Sequence, residues 1–312
     1  MPLDVCVVGE INSDLILYGL PRQLKAERES LIEGFRLTLG SSSAIFAHNL
    51  AVLGTSVGMI SKIGADPLGK MAFDSLATAG VDLSHVSFSA SGTSTGLTVI
   101  LAQPEHRFIL TYPGTMFELS YEDLDLDYVF SARHLHLSSY FLHKALRPRI
   151  VDLFREAKAK GLSTSLDTND DPEDKWGTDL QSVLPFVDIL FPNEREAKKI
   201  AATESLEQAI KKLSQVCRSV VVKLGAKGAI ARTGSGEWRC EGTPMPAVDP
   251  VGAGDSFDAG YIHRFLQGAT PQECLEYAGI AGALSTTQEG GTEAFKDRSS
   301  VEEFFRDHLK KS

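Results

Sequence analysis

Short apolar runs alternate with segments of helical periodicity along most of the chain. Short apolar runs, typical of strands buried on both faces, occur within residues 5–9, 187–191 and 219–223. Between such runs the apolar residues recur at spacings of three and four, as they do over residues 146–157. This alternation predicts an α/β fold with a doubly wound, mainly parallel sheet flanked by helices.

Some extended segments before residue 115 do not fit this rhythm. Residues 15–18, 30–39, 96–101 and 107–112 look like strands with no helix between them. We therefore predict a single domain over residues 1–312, in which about residues 11–39 and 95–114 form a small β-sheet lid. His106, in the turn between the last two segments, is expected to be a solvated turn residue.

The composition of the chain argues against several classes of function and of binding partner. The chain has 312 residues, 43% of them hydrophobic, which is ample for a large core. A net charge of −10 argues against nucleic acid as a partner, because binding it requires clustered cations. The four cysteines are far apart and form no CxxC pair, so neither a disulfide framework nor a thiolate zinc site is expected. The N-terminus lacks a secretory signal and no apolar stretch approaches membrane-spanning length, which predicts a cytoplasmic protein without a membrane partner.

A run of small residues leads into a helical pattern near the C-terminal end. Gly252, Ala253 and Gly254 leave the backbone bare just before the pattern that begins at Phe257. The first N–H groups of a helix lack partners and lie at the positive end of its dipole, so such a start can bind a phosphate. Asp255 is then either a base that takes a proton from an attacking hydroxyl or a helix cap, and spacing alone leaves both open.

Residues 249–260, Asp-Pro-Val-Gly-Ala-Gly-Asp-Ser-Phe-Asp-Ala-Gly, resemble the C-terminal signature of the ribokinase-like (PfkB-type) sugar kinases. The resemblance extends over nearly the whole chain. It implies transfer of the γ-phosphoryl group of ATP to a sugar hydroxyl, with Asp255 as the general base and Gly252 to Gly254 as the anion hole. It also suggests that a monovalent cation binds near Asp249.

The same resemblance assigns the nucleotide side. Asn193 and Glu196 match the family motif N-x-x-E, which orders Mg²⁺ and water around the ATP phosphates, although an acid in a first helical turn also simply complements the helix dipole. Lys223, Gly225 and Gly228 are assigned to the ATP site. A plain turn between strands would use the same two glycines.

The N-terminal half carries the candidates for the acceptor. Asn12 and Asp14 follow the first strand, where they are either a turn cluster or, by the resemblance, the family's N-x-D that grips sugar hydroxyls. Asp167 and Asn169 resemble a family D-x-N that faces the sugar. Arg107 is the one cation of the lid that is expected to reach the acceptor.

The first family signature is matched imperfectly by Gly40, Ser41 and Ser42, which precede a helix. There the usual second glycine and the sugar-bonding asparagine fall on Ser41 and Ile45. Serines can replace some of the hydrogen bonds, whereas Ile45 offers only apolar contact. The identity of the sugar is the part of the function that the resemblance does not settle.

The acceptor is expected to be a neutral carbohydrate. Residues 10–14, 40–49 and 167–171 contain no Lys or Arg to hold a phosphate or carboxylate, and Asp170 with Asp171 would repel a sugar acid. Nucleosides and phosphosugars are the alternatives within the family. A catalytically silent sugar- or nucleotide-binding regulatory protein is the alternative outside catalysis, and pairing of the open lid edges makes a homodimer a candidate.

Two further patterns favour structural interpretations. Residues 64–71 resemble a P-loop, but Met71 replaces the Ser or Thr that would hold magnesium, so we predict a helix start instead. His134 and His136 share one face of a strand, where packing is favoured over metal binding. Residues 298–309 are predicted to form a solvated terminal helix.

Overall fold

The computed structural model describes residues 3–103 and 107–309, so the predicted turn residue His106 lies outside the described residues. The strands are β1 Val5–Val8, β2 Asn12–Tyr18, β3 Gly34–Gly40, β4 Val57–Ile63, β5 Asp82–Phe88, β6 Gly96–Ala102, β7 Arg107–Tyr112, β8 His134–Leu137, β9 Ser163–Leu166, β10 Ile189–Leu190, β11 Ser219–Lys223, β12 Ala229–Thr233 and β13 Gly236–Cys240. The helices are α1 Ser42–Val52, α2 Pro67–Ala79, α3 Leu126–Phe130, α4 Ile150–Ala159, α5 Thr178–Val183, α6 Glu194–Ile200, α7 Leu206–Leu213, α8 Ala253–Leu266, α9 Pro271–Ser285 and α10 Arg298–Leu309.

The larger sheet has nine strands in the order β13-β12-β11-β10-β9-β8-β1-β4-β5. Its pairs are parallel from β11 to β5, and only the β11–β12 and β12–β13 pairs are antiparallel. Val5 and Val7 of the central strand β1 belong to one hydrophobic cluster, and Cys6 and Val8 belong to another. Both faces of β1 are therefore covered, as its uninterrupted apolar run predicted, and the doubly wound α/β fold is confirmed.

The smaller sheet has the order β3-β2-β6-β7, which confirms the predicted second sheet. Strand β3 begins at Gly34, later than the predicted residue 30. The strand register places Asp14 opposite Thr38 and Thr98, and Thr98 opposite Thr111. One face of this sheet thus carries the predicted acceptor residue Asp14. That the sheet acts as a lid stays a prediction.

The two structural interpretations of the sequence are confirmed. Helix α2 begins at Pro67 with Asp66 as its cap, where a P-loop had been rejected. His134 and His136 are fully buried and hydrogen-bond to serine hydroxyls, both at 2.7 Å from Ser165 Oγ.

The prediction that the terminal helix is solvated is wrong for one of its faces. Val301 and Phe305 of α10 are buried in a cluster with residues of α9, and their spacing of four was the available signal.

None of the helices within residues 3–103 and 107–309 is long and apolar enough to cross a membrane. The cytoplasmic location stays a prediction.

Candidate active site

The candidate residues converge at the carboxyl ends of the parallel strands. Glu10 lies beyond β1, Asp167 follows β9, Asn193 lies beyond β10 and Lys223 ends β11. Because these strands run in the same direction, their carboxyl ends meet at one edge of the sheet. Helix α8, which begins at Ala253, places its N-terminus beside Lys223 at this edge.

The start of α8 is a bare turn, as the sequence predicted. Gly252 has φ 74°, and a Cβ there would come within 2.5 Å of the Cα of Gly291, so both conformation and space require glycine. A Cβ on Gly254 would lie 3.4 Å from Lys223 Nζ. The N-cap residue forms no side-chain capping hydrogen bond. The first N–H groups of α8 therefore lie next to a lysine ammonium, an arrangement suited to an anion.

Asp255, in the first turn of α8, is 9% exposed. Burial and the neighbouring carboxylate of Asp167 raise its pKa to about 6, although Lys223 and a hydrogen bond from Ser42 oppose that rise. The carboxyl is thus engaged by a side chain from α1. A carboxyl with this pKa is ionised at neutral pH and close to the range in which a general base works well.

A buried ion cluster lies beneath this turn. Lys223 Nζ is 2.7 Å from Asp167 Oδ2 and 3.1 Å from Asp258 Oδ2, and both carboxylates are almost fully buried. The pKa of Asp258 is raised well above its usual value by burial, with Lys223 opposing. Asp258 was not among the predicted site residues. Its position three residues after Asp255, on the same helix face, was the signal that could have found it.

Asn193 and Glu196 form a reciprocal capping box at the start of α6. Asn193 N donates to Glu196 Oε2 at 2.9 Å, and Glu196 N donates to Asn193 Oδ1 at 3.0 Å. Burial and Asp167 raise the pKa of Glu196 to about 7, so a cation at this carboxylate would favour its ionised form. No group of three or more His, Cys, Asp or Glu side chains that could hold a metal occurs within residues 3–103 and 107–309. The site thus suits an ion held by one carboxylate, waters and phosphates.

The two glycines assigned to ATP differ in what surrounds them. A Cβ on Gly228 would come within 2.0 Å of the carbonyl oxygen of Cys240, so the packing of the β-hairpin already explains this glycine. Gly225 has φ 60° and nothing within 4 Å of where its Cβ would be. Open space above a bare backbone leaves room for a ligand at Gly225.

Asp14 lies on the face of the small sheet that also carries Arg107, two strands away. Burial, Asp255 and Asp249 raise the pKa of Asp14 to about 7, and Arg107 opposes that rise. A Cβ on Gly40 would come within 2.1 Å of Asp14 Oδ1, so glycine is required there. The structure thus brings Asp14 into the same electrostatic environment as Asp255.

Asn12 Oδ1 is buried and has no hydrogen-bond partner in the described part of the chain. A buried amide oxygen without a partner is costly, so an acceptor hydroxyl reaching it would be stabilised.

The serine turn before α1 faces Asn169. Ser41 has φ 69° and its hydroxyl accepts from Ala44 N at 3.2 Å, which caps α1. Asn169 Nδ2 donates to Ser42 Oγ at 3.0 Å. Ile45 is 2% exposed and packs beneath Gly252 and Gly291, so its contact with an acceptor stays a prediction.

Asp249, the residue near which a monovalent cation was predicted, is buried and bonded to protein groups. Its carboxylate accepts from Tyr18 Oη and Val251 N, both at 2.9 Å, and from Gly290 N at 3.0 Å. These bonds connect the small sheet to the loop before α8. The monovalent cation stays a prediction.

The expectation that Asp170 and Asp171 repel an anionic acceptor stays a prediction, but both carboxylates already have partners in the protein. Asp170 pairs with Arg195 at 2.5 Å. Asp171 is buried and accepts from the backbone N–H groups of Lys175 and Trp176 at 2.8 and 2.7 Å. Asp170 thus has a cationic partner and Asp171 has backbone hydrogen bonds, neither of which the sequence spacing revealed.

Three buried polar residues of this region were missed as site components. Glu10 accepts from Ser43 Oγ at 2.7 Å and lies 3.1 Å from His143 Nε2. Asn49 Nδ2 donates to Ser256 Oγ at 2.9 Å and to Gly291 O at 3.0 Å. An acid directly beyond a buried strand was the one signal for Glu10.

Comparisons with known proteins agree with this geometry. A model of the pfkB family carbohydrate kinases matches residues 2–298. The ATP-dependent ribose-1-phosphate kinase of Halopiger xanaduensis is 31% identical, over 93% of this chain and 94% of its own length. The 5-dehydro-2-deoxygluconokinase of Geobacillus thermodenitrificans is 28% identical, over 99% of this chain and 94% of its own.

The solved structures show the same fold. Arabidopsis thaliana ribokinase, complexed with ribose and ATP, has a TM-score of 0.83 and 25% identity, and the match covers 98% of this chain and 99% of that one. Since the family model spans nearly the whole chain and the fold agrees, this chain belongs to the pfkB family of carbohydrate kinases.

Proposed function

We propose that this carbohydrate kinase transfers the γ-phosphoryl group of ATP to a hydroxyl of a neutral sugar, with Asp255 as the general base. One observation carries the proposal. Asp255, whose pKa is raised to about 6 chiefly by burial, lies directly after the bare N-terminus of α8 and beside Lys223. A base and an anion site in contact are what phosphoryl transfer to a hydroxyl requires.

The residues divide the reaction between them. ATP with Mg²⁺ supplies the transferable phosphoryl group and neutralises part of its charge. The N–H groups at Gly252 to Gly254, with Lys223, bind the oxygens on which charge develops, and Glu196 holds the hydrated ion. Asp255 takes the proton of the acceptor hydroxyl. The hydroxyl oxygen then bonds to the γ-phosphorus, and the bond between that phosphorus and the departing ADP breaks.

The acceptor is placed between the small sheet and the large one. The carboxylate of Asp14 accepts bonds from sugar hydroxyls, and the unpartnered Asn12 Oδ1 takes another. Residues 10–14, 40–49 and 167–171 offer no cation, which favours a neutral sugar. Arg107, on the same face of the sheet as Asp14, favours a phosphosugar as the second candidate.

A coupled ADP-release screen decides between these acceptors. D-ribose, D-fructose, ribose 1-phosphate, 5-dehydro-2-deoxygluconate and adenosine are compared by kcat/KM at saturating ATP. We expect a neutral sugar to exceed every anionic one. A tenfold preference for an anionic acceptor, about 1.4 kcal/mol, would reject the neutral sugar. Arg107→Gln is the matched variant, since it should raise KM only if an anion is bound.

We also propose that the small sheet pairs with that of a second copy. The face opposite Asp14 carries apolar side chains, among them Phe35, Leu110 and Tyr112, which are 68%, 59% and 54% exposed. Such a patch on a short sheet with open edges is typical of an interface. Light scattering should give a dimer for the parent and a monomer for Leu110→Glu, and a monomeric parent would reject this proposal.

A further inference from the structure

The carboxylate of Glu10 joins three segments beneath the acceptor side. It accepts from Ser43 Oγ at 2.7 Å in the first turn of α1 and from Ser139 Oγ at 2.8 Å just after β8. His143 Nε2 lies 3.1 Å from it, and both side chains are essentially unexposed. Ser41 Oγ adds a 2.7 Å bond to the Glu10 carbonyl oxygen. A single buried side chain thus connects segments that are distant in sequence.

Two of these segments also hydrogen-bond to Asn169, a candidate acceptor residue on a fourth segment after β9. Ser139 N donates to Asn169 Oδ1 at 2.8 Å, and Asn169 Nδ2 donates to Ser42 Oγ at 3.0 Å. Ser42 in turn hydrogen-bonds Asp255. The contacts therefore close a ring from Glu10 through Ser139, Asn169 and Ser42 back to the start of α1.

Two backbone conformations depend on this ring. Ser41 and Ser139 both have positive φ, 69° and 55°, where a residue other than glycine is strained. Each makes its hydroxyl bond to Glu10, which offsets part of that strain. Gly9 permits the close approach, because a Cβ there would lie 2.1 Å from Ser43 Oγ.

We propose that Glu10 is a positioning residue of the kinase reaction, one that sets Asn169 and Ser42 against Asp255 and so fixes where the acceptor hydroxyl lies. This inference rests on the proposed function. The Glu10 backbone carbonyl accepts from Ser41 Oγ, whereas its carboxylate acts through Ser43 and Ser139. His143 orients the carboxylate, since Nε2 also lies 3.0 Å from the Ser138 carbonyl oxygen and so carries the proton.

The test is a double-mutant cycle on the acceptor KM, with D-ribose as the probe. Glu10→Gln removes the acceptor oxygen that faces His143, and a lost bond to a charged group corresponds to about tenfold in KM. We expect that rise for D-ribose, with the ATP KM within about twofold of the parent. In an Asn169→Ala background the same change should add less than about twofold, because coupled residues are not additive.

The matched control is Asp188→Asn. Asp188 is also buried, accepts from Thr164 N at 2.9 Å and pairs with Lys158 at 2.6 Å, but it lies at the opposite ends of the strands. It should lower the melting temperature without changing the acceptor KM. Additive effects of Glu10→Gln and Asn169→Ala, or a Glu10→Gln variant that behaves as Asp188→Asn does, would overturn the proposal.

Two measurements keep the test independent of folding and of the acceptor. If Glu10→Gln does not fold, Ser43→Ala removes one bond to the carboxylate and should raise the acceptor KM in the same direction by a smaller factor, and no change would overturn the inference. Without any acceptor, exchange of the Ser139 amide, which donates to Asn169, should accelerate in Glu10→Gln and not in Asp188→Asn. Equal exchange rates of the Ser139 amide in the parent and in Glu10→Gln would contradict the positioning role. A failure of the proposed function would instead appear as unchanged phosphoryl transfer in Asp255→Asn.

Discussion

Helices α8 and α1 begin at the same edge of the sheet, but the surroundings of their unpaired first N–H groups differ. Helix α8 begins after Gly252 and helix α1 after Ser41, and these residues have nearly equal positive φ, 74° and 69°. Ahead of α8 the backbone is bare. At α1 the Ser41 hydroxyl caps the helix, and the buried carboxylate of Glu10 accepts from Ser43 N at 3.3 Å.

The difference teaches which helix start is available to a phosphate. An anion is attracted to any helix N-terminus, but the one at α1 is already occupied by a protein carboxylate. The charged neighbours of the one at α8 include the cation Lys223 and Asp255, the proposed base. We infer that α8 takes the transferring phosphoryl group and α1 serves the acceptor.

The largest expected effect comes from removing the base at α8. Asp255→Asn keeps the size of the side chain but cannot take a proton, so phosphoryl transfer should fall by about 10²–10⁴-fold. ATP binding, measured by calorimetry, should remain within about threefold of the parent. Transfer within threefold of the parent would remove Asp255 from the mechanism.

Exchanging the two positive-φ residues should sharpen the comparison. Gly252→Ala forces a Cβ to within 2.5 Å of Gly291, so it should lower transfer by tenfold or more, and strain at such a site costs about 1–3 kcal/mol. Ser41→Gly relieves strain but loses the bond to Glu10, so the free energy of unfolding should change by less than about 1 kcal/mol. Urea melts and ADP release measure both. If Ser41→Gly lowered transfer and the free energy of unfolding as much as Gly252→Ala does, the two turns would not differ as described.

The smallest effect is expected at α6. Glu196→Gln retains the shape of the capping box but loses the charge, so the Mg²⁺ concentration for half-maximal activity should rise several-fold while the acceptor KM changes less. A Mg²⁺ titration at fixed ATP measures this. Glu273→Gln, in the capping box of α9, is the matched control, and an unchanged Mg²⁺ requirement would leave Glu196 as a helix cap alone.

The sequence predicted the backbone-built part of this site far better than the part built from side chains. Glycines at 252 and 254 are local signals, because a bare turn needs only neighbours in the chain. The ring of Glu10, Ser139 and Asn169 joins segments more than 100 residues apart, and no local pattern reports such contacts. For the same reason the pairing of Asp170 with Arg195 was missed.

The fold was predictable because its signal is repeated. Apolar runs and helical periodicity recur along the chain, so an error at one element, such as the start of β3, does not change the topology. A site has no such redundancy. Ile45 illustrates this, since its alignment suggested a contact with the sugar, which stays a prediction, but did not indicate that its side chain packs beneath Gly252.

The pH dependence of kcat/KM for the acceptor, which reports the pKa of the enzyme before the acceptor binds, tests the central claim most directly. A base must be ionised to act, so with a pKa raised to about 6 the activity should be full at higher pH and be lost as the pH falls through about 6. The account predicts that the titration near pH 6 is lost from the residual activity of Asp255→Asn, while the contributions of Asp14 and Glu196, whose pKa values are raised to about 7, remain in both proteins. The same titration near pH 6 persisting in Asp255→Asn would show that another group is the base.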